Sequence, residues 1–339
     1  MSAPAGGRRE QIVGIGLGAA VLFSAAAALL VRLPPDAGLG LSLALHGPHL
    51  LLALAAGAGF GAAGAVHAAH DDAGRGHPLL FALAVGMALG GARGADFAYL
   101  GPVASFLVGG LECALLFGAL VLLAGRLGGA ARLVTGVLLL LLLVAGLGAA
   151  IEAKGDPAGL RPWVWWLLGD VSRATYWTAA PVALLILGLT AGLVRSIDPG
   201  IHFADQTEAT RRRLLGRAGL LFGLCLGAVG LVAFFALIVA LAARWLLGHE
   251  ALRSWTFAAA ALGALAMIFA DALPRALFGG LGPPVGIAIA AVAIPWYLLR
   301  NENRSYPWAR GFEFLLGLLV GLGLLGAIYV LRQLATFIA

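Results

Sequence analysis

The sequence predicts an all-α, polytopic helical membrane protein with about eleven transmembrane helices. Three observations carry that prediction. Of 339 residues, 61% are apolar and only 11% are charged, whereas soluble domains run at roughly 45–50% and 25%. Mean hydropathy is +0.98. Apolar runs of the length needed to cross a bilayer, roughly 20 residues, recur along the whole chain. A soluble enzyme and a disordered chain are both excluded by this composition. The 50 glycines follow no three-residue period, which excludes a collagen-like chain. Cys113 and Cys225 both stand in apolar runs, so neither a disulfide framework nor a zinc spacing is expected.

The predicted spans are 11–31, 50–69, 78–95, 98–124, 131–152, 177–195, 213–231, 233–247, 254–273, 283–299 and 312–335. The fifteen residues of 233–247 make the weakest full crossing. The first apolar run, from Ile12 to Val31, is too long for a signal-peptide core and is read as a retained span. Orientation follows from the basic residues, which concentrate in cytoplasmic loops. With the N-terminus inside, fifteen of the 22 Lys and Arg residues fall on cytoplasmic segments and seven on outer ones. Basic residues are not interleaved with aromatics, so nucleic acid is not an expected partner.

No loop is long enough to fold by itself. The longest cytoplasmic connectors are 196–212 and 300–311. The outer stretch 153–176 holds "RPWVWWLLGDVSRATYW". Its Trp and Tyr residues suit the membrane–water boundary, and a short surface helix is expected there. Gly57, Gly59, Gly61 and Gly64, and Gly317 with Gly321, are spaced for close helix contact.

P-loop, HExxH, CxxC and GxSxG signatures are all missing, so the chain is not expected to be an enzyme or to hold a cofactor. Its sharpest polar cluster is "HAAHDDAGRGH", with His67, His70, Asp71, Asp72 and His77. His67 and His70 share a helix face and, with Asp71, are the candidate metal ligands. The simpler reading is a hydrated helix end. Asp271 ends a long apolar run four residues before Arg275, and a structural pair is the simpler reading there too. Pro274 between them is expected to bend or end the helix. Glu112, in mid-span, is expected to face the bundle interior. In "SIDPGIHFADQTEATRRRLLGR", Asp205, Gln206, Thr207 and Glu208 precede Arg211, Arg212 and Arg213. Thr207 is a candidate N-cap, with acid before base as the helix dipole favours. Such a charged helix start suits a cytoplasmic docking partner.

Several of these segments together resemble the FecCD-type permeases, the membrane subunits of ABC importers for iron-siderophores, haem and cobalamin. In "FADALPRALFGGLGPPVGIAIAAVAIPWYLLR", Ala270, Asp271 and Arg275 fit the family's A-D-x-x-A-R. Pro284, Val285 and Gly286 fit its E-L-P-V-G, and Pro295, Leu298 and Leu299 its last span. "WLLGDVSRATYW" is similar to W-L-L-G-S-x-S-x-A-x-W, and "LHGPHLLLALAAGAGFGAAGAV" to the family's second span. The segment from Asp205 to Gly216 stands where the family carries its ATPase-coupling motif, G-E-x-A-x-x-L-G. Pro283 replaces the Glu of E-L-P-V-G, His46 and His49 replace arginines, and a Pro-His pair is missing near "VAFFALIVALAAR".

The resemblance implies a type II importer-like bundle over residues 1–300, with 301–339 adding a transmembrane helix beyond the family's usual ten. It implies a multi-pass protein of the bacterial inner membrane. Its expected partners are a cytoplasmic ABC ATPase dimer that hydrolyses the ATP, a second permease subunit (homo- or heterodimer) and an extracytoplasmic substrate-binding protein. Asp205, Gln206, Thr207, Glu208, Arg211, Arg212 and Arg213 would form the ATPase-coupling loop. A non-transporting scaffold on the same fold and an ion-driven carrier are the alternatives. Single cysteines placed at 196–212 in a Cys-free background are expected to react with an impermeant maleimide only from the cytoplasmic face. Labelling from outside in intact cells overturns the topology.

Overall fold

The computed structural model describes residues 39–70, 175–199, 206–230, 232–247 and 251–278, with isolated positions at 16, 18–21, 25, 111, 115, 169, 171, 285, 286 and 289. The spans 78–95, 131–152 and 312–335, nearly all of 11–31, 98–124 and 283–299, and most of the outer stretch 153–176 lie outside the described residues. So do Asp71, Asp72, His77, Glu112 and Asp205. All described residues except Ile289 belong to one compact unit, Met1–Ala288; a second unit comprises Ile289–Ala339.

Every regular element among the described residues is a helix: α1 Leu39–His70, α2 Tyr176–Arg195, α3 Glu208–Val229, α4 Ala233–Leu247 and α5 Leu252–Phe278. Three stretches, His46–His70, Tyr176–Arg195 and Leu252–Ala272, are long and apolar enough to cross a membrane.

α1 is the centre, and it packs against each of the other four. Its composition explains why. From Ala55 to His70 every residue is buried, and only Phe60 among the apolar ones there is large. A helix enclosed on all sides has no polar face. With small side chains its neighbours approach to backbone distance. A Cβ at Gly57 would collide with the Gly263 carbonyl of α5, and one at Gly61 with the Ala259 carbonyl. A Cβ at Gly64 would strike the Ala236 carbonyl of α4, and one at Gly59 the Cys225 Sγ of α3. Four glycines thus open three sides of one helix. Phe60 fills the remaining space, with ring centroids 5.1 Å from Phe222 and 6.4 Å from Phe235, both edge-on.

These contacts also fix direction. Gly57 meets Gly263 and Gly61 meets Ala259, so α5 runs antiparallel to α1. Gly47 abuts Tyr176 and Gly59 abuts Ile186, so α2 runs parallel to it. The last turns of α1, α2 and α4 and the first turns of α3 and α5 therefore share one end of the bundle, as the alternating spans require.

α4 starts part-way along α1 rather than at its far end. Phe235 stands beside Phe60, about 20 Å along α1 from Gly47 at 1.5 Å per residue. The 15 residues of α4 cover only about 22 Å, short of a hydrocarbon layer of about 30 Å. The bounds match the predicted segment 233–247, and the position of its first turn explains its shortness. The Trp255 indole of α5 holds this short helix, donating to the Ala240 carbonyl at 2.7 Å. The Arg244 guanidinium lies 5.2 Å from the Trp255 ring centroid.

One expectation needs correction, and a second is narrowed. α1 begins at Leu39, eleven residues before the predicted span, and carries Pro48 inside it. Of the two outcomes expected at Pro274, a bend or an end, the end does not occur: α5 continues to Phe278. Prolines are tolerated in membrane helices because neighbouring groups satisfy the freed carbonyls.

Gly61→Val is expected to destabilise the bundle by about 1–3 kcal/mol through overpacking against α5. Gly192→Ala, at a position with no atom within 4 Å of the added methyl, is expected to change stability by less than about 0.5 kcal/mol. Buried Cys225 supplies the readout: in a Cys113→Ser background, thermal exposure of its thiol to a maleimide dye should shift down by several degrees for Gly61→Val only.

Candidate functional site

Polar chemistry concentrates at the end of the bundle where α2 finishes and α3 starts. α2 closes with Ser196, whose N–H donates to the carbonyls of Gly192 and Leu193, each at 3.1 Å. Its hydroxyl donates to the Leu193 carbonyl at 2.7 Å. Ile197 then turns inward and is buried, while Asp198 and Pro199 are exposed. The chain is next described at Gln206, which is 7% exposed. Its amide oxygen and nitrogen have no hydrogen-bond partner among the described residues.

Thr207 caps α3, as its sequence position predicts. Its backbone is extended (φ −62°, ψ 150°) and its hydroxyl accepts from the Thr210 N–H at 3.3 Å. The two threonine hydroxyls lie 2.9 Å apart, and the Arg211 N–H donates to the Thr207 carbonyl at 2.9 Å. Glu208, in the first turn, complements the helix dipole. Its carboxylate reaches two cations one turn on: Arg211 Nη2 at 3.0 Å and Arg212 Nε at 3.1 Å. At this exposure such pairs add little stability. What they do is fix the side-chain directions of three neighbouring residues on one helical turn. Arg213 and Arg217 point to solvent.

A second node lies deeper, at the junction of α3 and α4. The Gly230 N–H donates to the Leu226 carbonyl at 2.8 Å, and its φ of +77° suits glycine. Gly169 has φ +74°, and a Cβ there would lie 3.1 Å from the Gly286 nitrogen and 3.1 Å from a Val232 methyl. The glycine of "WLLGD", the glycine of "PVG" and the helix break therefore meet. Non-helical backbone at membrane depth is tolerated where protein encloses it, and Gly230 and Val232 are buried. Sequence reading had singled out two of these segments separately. Their meeting is a long-range contact with no local signal.

The other singled-out residues stand apart from both nodes. His67 and His70 are 0% and 7% exposed, which corrects the reading of a hydrated helix end. Enclosure of α1 extends through its last turn, and the His67 ring stands 6.4 Å from that of Phe222. Among the described residues no group of three or more His, Cys, Asp or Glu is placed to hold a metal; Asp71 lies outside them. Asp271 is buried and partnered. Arg275 shares its helix, but that side chain lies outside the described residues.

Residues 205–300 match the model of the FecCD transport family. The chain is 30% identical over 220 residues to the vitamin B12 import system permease protein BtuC of Vibrio cholerae, covering 60% of this chain and 65% of the relative. It is 29% identical over 188 residues to the hemin transport system permease protein HmuU of Yersinia pestis, covering 48% and 56%. With the cobalamin import system permease protein BtuC of Halobacterium salinarum, identity is 26% over 278 residues, covering 76% and 72%. The chain thus spans less than two thirds of the length of the first two relatives. A solved chain described as belonging to a metal-chelate type ABC transporter, in an inward-facing conformation, superposes with a TM-score of 0.70. That match covers 87% of this chain and all of the other at 18% identity, and it bears on the fold. The family match begins at Asp205, so it takes in the capped start of α3 and, of the deep junction, Gly230, Val232 and Gly286 but not Gly169.

Thr207→Ala removes the capping hydroxyl and is expected to weaken the first turn of α3 by about 1 kcal/mol. Amide exchange at residues 208–211 should then speed up about fivefold, while α1 amides keep their protection.

Proposed function

This chain is a member of the FecCD transport family, and from that membership we propose that it is the transmembrane permease subunit of an ABC importer. Its substrate would be an iron-siderophore, haem or cobalamin-type molecule. In this reading it crosses a bacterial inner membrane about eleven times with its N-terminus inside, the last span being the 301–339 addition. It pairs with a second permease subunit and receives substrate from an extracytoplasmic binding protein. ATP is hydrolysed on a separate cytoplasmic ATPase dimer.

The observation that carries this reading is the ordered cap of α3 inside the family-matched segment. Asp205, Gln206, Thr207, Glu208, Arg211, Arg212 and Arg213 would form the ATPase-facing surface. An ATPase moves a membrane bundle only through contacts that differ between its two states. Glu208 holds Arg211 and Arg212 in one arrangement, so a partner meets a preset pattern of charge. Gln206, buried and without a hydrogen-bond partner among the described residues, leaves an amide whose desolvation costs about 1–3 kcal/mol; a partner group reaching it would recover that cost.

α3 supplies the transmission. It is an unbroken helix of 22 residues, about 33 Å long, from the cap to Gly230. A push at Thr207 would reach the junction where Val232 and Gly286 both lie against Gly169. The α1–α5 seam, with backbones in contact, would move as one body, because packed cores shift between discrete arrangements rather than deform.

Affinity purification of the tagged chain from its native membrane should recover a P-loop ATPase, and recovering none overturns the reading. Glu208→Arg, which repels Arg211 and Arg212 and reverses the local charge, should lower the recovered ATPase at least tenfold in the same assay.

A further inference from the structure

The start of α3 carries more positive charge than its own carboxylate holds. Glu208 takes up Arg211 and Arg212. Arg213 and Arg217 are both exposed, and neither makes an ion pair or hydrogen bond among the described residues. Four residues apart, they stand on one face of the helix. Gly216, beside them, is also exposed, and a Cβ added there would meet no atom within 4 Å. The helix backbone is therefore open to close approach between two guanidinium groups.

Their level along the helix matters as much as their charge. From Ala218 to Val229, α3 has no exposed residue, and that stretch reads "AGLLFGLCLGAV". Arg217 is the last exposed residue before the apolar, enclosed part of the helix begins. In a membrane protein that boundary is the headgroup layer, where arginine side chains reach for the interface. A guanidinium matches phosphate oxygens with paired donors.

We propose that Arg213 and Arg217 clamp the phosphate of an anionic phospholipid, with Gly216 admitting the headgroup against the helix. Charge complementarity selects this occupant: two exposed cations that pair with no acid among the described residues face a leaflet whose anionic lipids attract basic residues next to the membrane. The clamp shares Arg213 with the proposed ATPase-facing turn, but lipid binding is read without an ATPase, so failure of one reading is distinguishable from failure of the other.

Native mass spectrometry of the full chain, released from detergent and titrated with phosphatidylglycerol or phosphatidylcholine, tests it. The Arg213→Gln, Arg217→Gln double variant should bind the first phosphatidylglycerol roughly 30-fold more weakly, at about 1 kcal/mol for each basic residue at a membrane surface. Phosphatidylcholine binding should be unchanged. Arg212→Gln, whose partner is Glu208, should leave phosphatidylglycerol affinity within twofold. Arg213→Lys, Arg217→Lys should keep most of that affinity and shows that a folded protein is being read. Equal phosphatidylglycerol affinity in the Gln variant overturns the proposal, and so does equal loss of both lipids. Complete displacement by inorganic phosphate would assign the site to a free anion instead. Unchanged lipid binding with loss of ATPase recovery would assign the pair to the ATPase.

Discussion

Everything described here depends on how closely α1 lets its neighbours come. Between helices in a bilayer the hydrophobic effect supplies no net attraction, because lipid tails are as apolar as leucine; dispersion at short range has to hold the bundle. Gly57 and Gly61 put the α1 backbone against that of α5, and Gly64 puts it against α4. Reciprocally, Gly263 presents its own bare Cα to the Gly57 carbonyl. Once that seam is set, the remaining volume is filled by few large groups, chiefly Phe60, Phe222 and Phe235. The polar tethers, such as the Trp255 indole on the Ala240 carbonyl, are added to a frame already closed by backbone contact.

The two nodes divide the work by composition. The cap of α3 is charged, hydrogen-bonded and accessible, and its residues direct one another: Thr207 sets the helix start, Glu208 aims Arg211 and Arg212. The junction at Gly230 is apolar and enclosed, and it depends on the lack of a side chain at Gly169. A surface that meets a partner needs directed donors and acceptors. A joint inside the bundle needs backbone freedom and no unsatisfied polar group. One helix joins the two, so the sequence of α3 changes from "EATRRR" to "LLFGLCLGAV" along its length.

Much of this was legible before any coordinates. α2 and α4 fall within a residue of the predicted spans, because continuous apolar runs bounded by charge or glycine have local ends. The cap at Thr207 was legible from the order of threonine, acid and base. The early start of α1 was not, because Pro48 and the glycines around it read as breakers in water. Pro274 left a bend and an end both open for the same reason. His67 and His70 look hydrated as residues, and their burial follows from neighbours that only the fold supplies. The deep position of Phe235, and the contact of Gly169 with Gly286, are likewise tertiary facts. The residues at 71–77 and Glu112 lie beyond what the structure describes.

The shortness of α4 has a consequence for how the protein is made. A segment of 15 residues that starts half-way down a neighbouring helix presents less than a full bilayer thickness to the translocon. Its place in the bundle rests on the helices packed around it. The indole that holds it, on Trp255, belongs to the next helix in the chain. The packing of α4 is therefore complete only once the segment that follows it has been made and folded.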